Sequence, residues 1–248
     1  MKALLKKPFP FHTGPKAEGY LLSAMNLWNT PLSLWGLSAV SLPEDAEILD
    51  IGCGGGKNLK RLLEKAPKGH VSGIDSSFRA VDFSYRLNEE AIREGRISVY
   101  EGAADVLPFN GNKFDFILAE ETFYFWKDPA ACLKEVLRVL KPGGTFLLLQ
   151  SKGGSPLHQV YEKLIPGMKV YSRNDLKEFL ENAGFRDVTI RSRLGALAVS
   201  SEKPVTPLDA ARKKLKLSSI PYGKLTAAAL SAAALGLAAY GASRKYRS

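Results

Sequence analysis

The 248-residue chain is predicted to fold as an α/β protein. The expected architecture is a seven-stranded, mostly parallel sheet with helices on both faces and an antiparallel hairpin at one edge. A helical lid precedes it and a helical tail follows. Three observations predict this. From Ala46 onward short apolar runs alternate with segments of helical periodicity, the pattern of a sheet covered on both sides. A glycine cluster follows the first run, where a strand turns into a helix. The last two runs lie too close together for a crossover helix, so they must pair antiparallel.

In chain order, Gly19–Leu42 carries Leu21, Leu22, Met25, Leu27, Trp28, Leu32, Leu34, Trp35 and Leu37 and reads as two short helices broken at Asn29-Thr30-Pro31. Ala46–Ile51 reads as a buried strand and Lys57–Ala66 as a helix with Leu59, Leu62 and Leu63 on one face. His70–Asp75 is the second strand, followed by one long helix from Phe78 to Arg93. Ile97–Glu101 and Phe114–Glu120 are the third and fourth strands. Pro129–Leu140 is a helix that Lys141-Pro142-Gly143-Gly144 stops, ahead of a strand over Thr145–Gln150. Ser172 or Asn174 caps a helix ending near Gly184. Phe185–Arg191 and Leu194–Ser200 close the sheet around a turn at Ser192-Arg193.

Composition narrows the function classes. Hydrophobic residues are 45% and charged residues 24%, which excludes wholesale disorder. Two cysteines, Cys53 and Cys132, are too few for a disulfide scaffold or a structural zinc site, and His12, His70 and His158 show no metal-ligand spacing. The start, MKALLKKPFPF, lacks an apolar stretch long enough for a secretory signal, so the cytoplasm is the expected compartment. The net charge of +10 is concentrated: residues 203–248 hold nine Lys or Arg and one acid, a net of +8, which leaves +2 for the rest. Nucleic-acid binding would have to live in that tail, which lacks interleaved aromatics, and is not expected. Within the tail Leu225–Ser243 runs nineteen residues without a charge, between basic flanks. It is long enough to span a bilayer but rich in alanine, with only Leu225, Leu230, Leu235 and Leu237 strongly apolar. Membrane association, packing on a protein partner and a loosely ordered tail all remain open for it.

The turn Leu49-Asp50-Ile51-Gly52-Cys53-Gly54-Gly55-Gly56-Lys57 is the most specific signal. A turn that lets a ligand touch the main chain needs residues without side chains and with access to positive φ, and the following helix presents free N–H groups. The dinucleotide spacing G-x-G-x-x-G fails at Lys57, and the P-loop spacing fails at Ile51 and Asn58. An acid followed by G-x-G-x-G fits: Asp50, Gly52, Gly54, Gly56.

With these motifs in view the chain resembles the class I S-adenosylmethionine-dependent methyltransferases, most nearly the small-molecule branch with the ubiquinone/menaquinone C-methyltransferases. The resemblance covers Asp45–Ser201. It rests on LDIGCGGG (Leu49–Gly56), GIDSS (Gly73–Ser77), EGAADVLPF (Glu101–Phe109), FDFILAEETF (Phe114–Phe123), LKEVLRVLKPGG (Leu133–Gly144) and YSRNDLKEFLENAGF (Tyr171–Phe185), in that order. It implies a Rossmann-like domain over 45–202 with a lid over 1–44, and the charge pattern described above sets off a basic linker and apolar helix over 203–248. It implies S-adenosylmethionine as cofactor, S-adenosylhomocysteine as product, and no metal. Asp50, Gly52, Cys53, Gly54 and Gly56 would hold the methionine end. Asp75 and Ser76 would hold the ribose, and Ala104, Asp105 and Val106 the adenine. Glu120 would lie beside the reacting centre.

The competing reading makes Asp75 a helix cap and Asp105 a turn residue ahead of Pro108. Glu121 is the candidate base or amine anchor, or else a solvated loop carboxylate. Tyr124, Phe125 and Trp126 form an aromatic wall for the acceptor, or simply close the end of the sheet. His12 and His158 lie in the segments that would cover the site. The expected activity is methyl transfer to a small-molecule or lipid-like acceptor, with a membrane contact through residues 225–243. A non-catalytic cofactor-binding scaffold or sensor is the alternative, and an RNA or protein methyltransferase ranks below it, since the fourth strand does not end in Asn-Pro-Pro-Tyr.

Overall fold

The computed structural model describes residues 15–151, 162–163, 165 and 167–214. His12, His158 and the Leu225–Ser243 run lie outside these residues. The chain divides after Lys203 into two units. In the second, α8 (Pro207–Lys214) starts at Thr206, whose hydroxyl accepts from Asp209 N at 3.2 Å and donates to Asp209 Oδ2 at 2.6 Å. Among the described residues no helix is long and apolar enough to cross a membrane.

The first unit is built on a sheet of order β3-β2-β1-β4-β5-β7-β6. Its strands are β1 (Glu47–Ile51), β2 (His70–Asp75), β3 (Ile97–Glu101), β4 (Phe114–Glu120), β5 (Leu140–Gln150), β6 (Arg186–Arg193) and β7 (Ala196–Glu202). The β3-β2-β1-β4-β5 run is parallel, and β7 joins β5 and β6 antiparallel. The predicted seven-stranded, Rossmann-like architecture is therefore the observed one.

Alternation along each strand sends its apolar residues to both faces. One face packs Leu49, Ile51, Ile117, Ala119, Phe146 and Leu148 under α6 (Pro129–Val139) and α7 (Arg173–Ala183). The other packs Ile48, Val71, Phe116, Leu118, Leu147 and Leu149 under α2 (Thr30–Leu37) and α3 (Lys57–Lys65). Ahead of α2 stands α1 (Pro15–Trp28), and α4 (Phe78–Leu87) and α5 (Glu89–Arg93) connect β2 to β3. The caps are local chemistry. Asp128 accepts from Ala131 N ahead of Pro129, Ser172 and Asp175 form a reciprocal capping box on α7, and Gly184 ends that helix in the left-handed region.

Three expectations are corrected. The predicted Phe78–Arg93 helix is two helices, broken at Asn88. That side chain is buried, and its Nδ2 donates to Ser84 O (2.7 Å) and to Gly56 O (3.2 Å), which ties the break to the glycine turn. Lys141–Gly144 lies inside β5 rather than ahead of it. Phe114 pairs with Leu140 but Phe116 with Thr145, so these four residues bulge opposite Asp115, and Lys141 Nζ meets Asp115 Oδ2 at 2.7 Å. The closing hairpin turns at Leu194-Gly195, two residues later than predicted. Both have positive φ (48° and 82°), as a two-residue hairpin turn of this hand requires, and Arg193 pairs with Ala196.

Candidate functional site

The order of strands reverses between β1 and β4, and the loops that leave the carboxyl ends of these two strands stand at the topological position where open α/β sheets bind ligands. In the turn after β1, Gly52, Gly54 and Gly56 all have positive φ (73°, 51° and 74°), so the G-x-G-x-G spacing has a conformational cause. The three glycines differ in what surrounds them. A Cβ on Gly52 would strike the Thr122 side chain, and one on Gly56 would strike Ser84 and Asn88. A Cβ on Gly54 would meet nothing closer than Gly52 O at 3.9 Å, so this position faces open space. Gly54→Ala should accordingly leave the melting temperature within a few degrees, the strain of a left-handed alanine being about 1 kcal/mol, yet weaken ligand binding at least about tenfold by filling the cradle. Gly52→Ala should instead destabilise the fold. Thermal unfolding beside calorimetric titration separates the two outcomes.

Asp75 ends β2 directly beneath this turn. Its Oδ2 accepts from Gly54 N and its Oδ1 from Ser77 N, each at 2.9 Å. The cap of α4 is Ser77, whose hydroxyl accepts from Ala80 N, so the helix-cap reading of Asp75 fails. Burial raises the Asp75 carboxyl, and the backbone donors oppose that. Cys53 is turned inward, its sulfur against the space above Gly73, and burial raises its thiol further above the ordinary range. This is the environment of a packed cysteine, not of a nucleophile.

Two more acids crowd the same end of the sheet. Asp50 is 1% exposed, and its Oδ2 has no hydrogen-bond partner. Burial raises its pKa most, then the charges of Glu120 and Asp75. Glu120 is buried too, its pKa pushed up to about 7 by burial, against the opposing bonds from Ser33 and Asn58. Ser33 Oγ donates to Glu120 Oε1 (2.7 Å) and Asn58 Nδ2 to Oε2 (2.8 Å). Arg61 braces both partners, reaching Asn58 Oδ1 (2.7 Å), Ser33 Oγ (3.2 Å) and Thr30 Oγ1 (2.5 Å). Glu120 thereby ties β4 to α2 and α3. Asn26 on α1 adds a bond to Gly55 O at 3.1 Å, so the N-terminal helices are fastened to the glycine turn.

The loop after β3 holds the other expected contacts. Ala104 is buried, whereas Asp105 and Val106 are exposed. Residues from α6 fix this loop: Glu135 Oε2 accepts from Leu107 N at 2.9 Å, and Arg138 donates to Phe109 O (2.7 Å) and Leu107 O (2.9 Å). Ser76 is exposed beside Asp75.

After β4, Glu121 adopts φ 54°, and its carboxylate accepts from Tyr124 Oη, Ser151 N and Ser151 Oγ (2.8 Å for the last). Tyr124 packs with Met168 and Val170, flanked by Phe125 and Ile165. Trp126 does not join this wall. It lies in the core against Phe123, ring centroids 4.8 Å apart, in the same cluster as Tyr171. Tyr124 is buried as well, so only Phe125 of the three expected wall rings is partly exposed.

Sequence reasoning missed Ser33, Asn58, Arg61, Glu135, Arg138 and Ser151. Each acts through a contact with a residue 28 or more positions away, so no local spacing could reveal it.

The donor set suits a cationic ligand carrying a vicinal diol: an unpartnered buried carboxylate oxygen at Asp50, a carboxylate at the end of β2 and an open main-chain cradle at Gly54. Among the described residues no cluster of three or more His, Cys, Asp or Glu could hold a metal ion.

The profile of a methyltransferase domain matches residues 49–148. The uncharacterized methyltransferase YdaC of Bacillus subtilis is 24% identical over 176 residues, 70% of this chain and 88% of its own length. Demethylmenaquinone methyltransferase of Staphylococcus aureus is 28% identical over 177 residues, covering 60% and 72% respectively. The crystal structure of an S-adenosylmethionine-dependent methyltransferase from Aquifex aeolicus has the same fold, with a TM-score of 0.61 at 23% identity over 77% of this chain and 99% of that one.

Proposed function

Because this chain is an S-adenosylmethionine-dependent methyltransferase of class I fold, we propose that its acceptor is a small-molecule or lipid-like compound that binds beside Glu121, Tyr124 and Phe125. One observation carries the reading. Just past the end of β4 the Glu121 carboxylate is held by Tyr124, whose ring packs in a buried apolar cluster with Met168 and Val170 while Phe125 beside it stays partly exposed. The likeness to a demethylmenaquinone methyltransferase supports an apolar acceptor as well.

In this reading Asp75 accepts the ribose hydroxyls, Asp50 faces the ammonium group, and the Gly52–Gly54 main chain lies along the methionine portion. Ser76, Ala104, Asp105 and Val106 border the adenine. The cofactor supplies a methyl group on a positively charged sulfur, an already excellent leaving group, so the protein's main task is alignment and exclusion of water. Glu121 takes the proton of an acceptor O–H, N–H or activated C–H. Tyr124, whose phenol is pushed up by burial and by the Glu121 carboxylate, stays protonated and donates to Glu121, which fixes the direction of that carboxylate. Ser151 holds it from the other side.

The test is incubation with methyl-labelled S-adenosylmethionine and fractionated lipid, small-molecule, RNA and protein extracts. Label is expected in the lipid or small-molecule fraction, and label confined to RNA or protein overturns the reading. A folded, cofactor-binding chain that labels nothing would favour the non-catalytic alternative. Glu121→Gln should lower turnover at least about hundredfold, the usual scale for loss of a positioned base, and leave cofactor affinity within about twofold. Unchanged turnover removes Glu121 from the chemistry.

A further inference from the structure

We infer that the outer face of α1 and α2, together with the tip of the β6–β7 hairpin, docks on an anionic lipid bilayer at the mouth of the site. The inference deepens the lipid-like half of the reading above and rests on it. The two helices are fastened inward: Asn26 to Gly55 O, Ser33 to Glu120, and Gly36 O to Arg191 Nη2 at 3.0 Å. Among the described residues their outward side carries large apolar side chains. Tyr20, Leu27, Trp28 and Leu34 are all exposed, Trp28 to 85%. Positions 20, 27 and 34 recur at the seven-residue spacing that keeps one side of a helix. The break at Asn29 does not interrupt it, since Asn29 N reaches Met25 O and Ser33 N reaches Asn29 O, each at 2.9 Å.

The hairpin adds to the same rim. Gln150, the last residue of β5, pairs with Leu197, so the turn at Leu194-Gly195 projects from the end of the sheet that carries the glycine turn and Glu121. Leu194 is 98% exposed there. Arg191 lies over the Trp35 ring, 5.2 Å from its centroid, which places the hairpin beside α2. Arg173, donating to Ser192 Oγ at 2.9 Å, and Arg193 stand next to the tip. Among the described residues no carboxylate lies within ion-pair distance of Arg173, Arg191 or Arg193.

Charge selects the occupant. Exposed Leu, Trp and Tyr on the helices, with Arg173, Arg191 and Arg193 beside the exposed Leu194 of the hairpin, match the acyl boundary and the phosphates of an anionic bilayer, where Trp and Tyr settle at the interface and Arg pairs with phosphate. The chain's net charge of +10, eight of it from residues 203–248, adds attraction to the same surface.

The experiment is flotation of the full-length chain with phosphatidylcholine vesicles, with and without phosphatidylglycerol. Flotation is expected only with the anionic lipid, and should fall at least about tenfold in a Trp28→Ser/Leu34→Ser variant and again in Leu194→Ser/Arg193→Gln. Calorimetric binding of S-adenosylmethionine, unchanged in both variants, shows that they are folded. Three results overturn the inference: no flotation of the parent chain, flotation unaffected by the substitutions (which assigns it to the tail), or a lipid-free dimer that Trp28→Ser dissociates. Flotation is read without turnover, so a chain that floats but labels no lipid refutes the proposed acceptor and leaves the docking surface standing.

Discussion

Replacing Asp75 by alanine is expected to weaken S-adenosylmethionine binding at least about hundredfold. The side chain does two jobs at once. It accepts the Gly54 and Ser77 amides, each at 2.9 Å, so it shapes the turn. A carboxylate has about four lone-pair positions, and two amides leave room for both hydroxyls of a ribose. Hydrogen bonds to a charged group contribute about 1.5–3 kcal/mol each, and 1.4 kcal/mol is a factor of ten, so loss of two ligand bonds alone accounts for the figure. Asp75→Asn separates the roles. The amide keeps one acceptor oxygen, but its NH2 opposes one of the backbone donors, so binding should fall by an intermediate factor with a measurable loss of stability. Calorimetric titration of both variants, with adenosine as a second ligand, is the check. Full affinity in Asp75→Ala would remove the ribose from this end of β2.

The parts of this site that were legible in the sequence are those written in adjacent residues. Three glycines at every second position, each with positive φ, can be read off Gly52–Gly56 because the backbone demands them one by one. β2, β3 and β4 run over the residues expected, since each is a short β-prone run set off from its neighbours by helical or turn sequence. The helix over Arg173–Ala183 carries its own start in Ser172 and Asp175 and its own stop in Gly184. What could not be read depends on partners far along the chain. Asn88 looks like any polar residue on a long helix, and only the carbonyl of Gly56, 32 residues away, explains why the helix breaks there. Pro142-Gly143-Gly144 stops a helix in either reading. Its incorporation into β5 as a bulge needs Asp115 opposite it and Lys203 across from Gly143 and Gly144. Trp126 belongs to the core because Phe123 and Tyr171 fill the space beneath it, which its place in a run of aromatics does not disclose. The bracing by Arg61, Glu135 and Arg138 joins residues 28 or more positions apart and leaves no local trace.

Below pH 7 the unliganded protein is expected to grow more stable as the pH falls toward 5, and Glu120→Gln should abolish most of that slope. The ordinary glutamate value is 4.5 and Glu120 in the folded chain stands at about 7, raised by burial first. Between these values the folded chain keeps a proton that the unfolded chain has released. The resulting stability is fully present below the unfolded value and is lost as the pH rises through about 7, a difference of about 3 kcal/mol at 1.36 kcal/mol per unit. Asp50 is raised in the same direction and adds to the slope. Glutamine can occupy the site with both partners satisfied, since its carbonyl accepts from Asn58 while its amide donates to Ser33 Oγ. The Ser33 hydroxyl then turns to Asn29 O, already 3.0 Å away. The variant should therefore match or exceed the parent above pH 7, with urea unfolding as the measurement. Arg61→Ala acts oppositely: with the guanidinium gone the Glu120 pKa climbs further and the slope extends to higher pH. The same acids couple protonation to ligand charge. A cation seated beside Asp50 and Glu120 favours their ionised forms, so affinity for S-adenosylmethionine should rise between pH 6 and pH 8 relative to its uncharged-sulfur product, with fractional proton release on binding. A pH-independent ratio of the two affinities in the parent chain would separate these carboxylates from the charged sulfur.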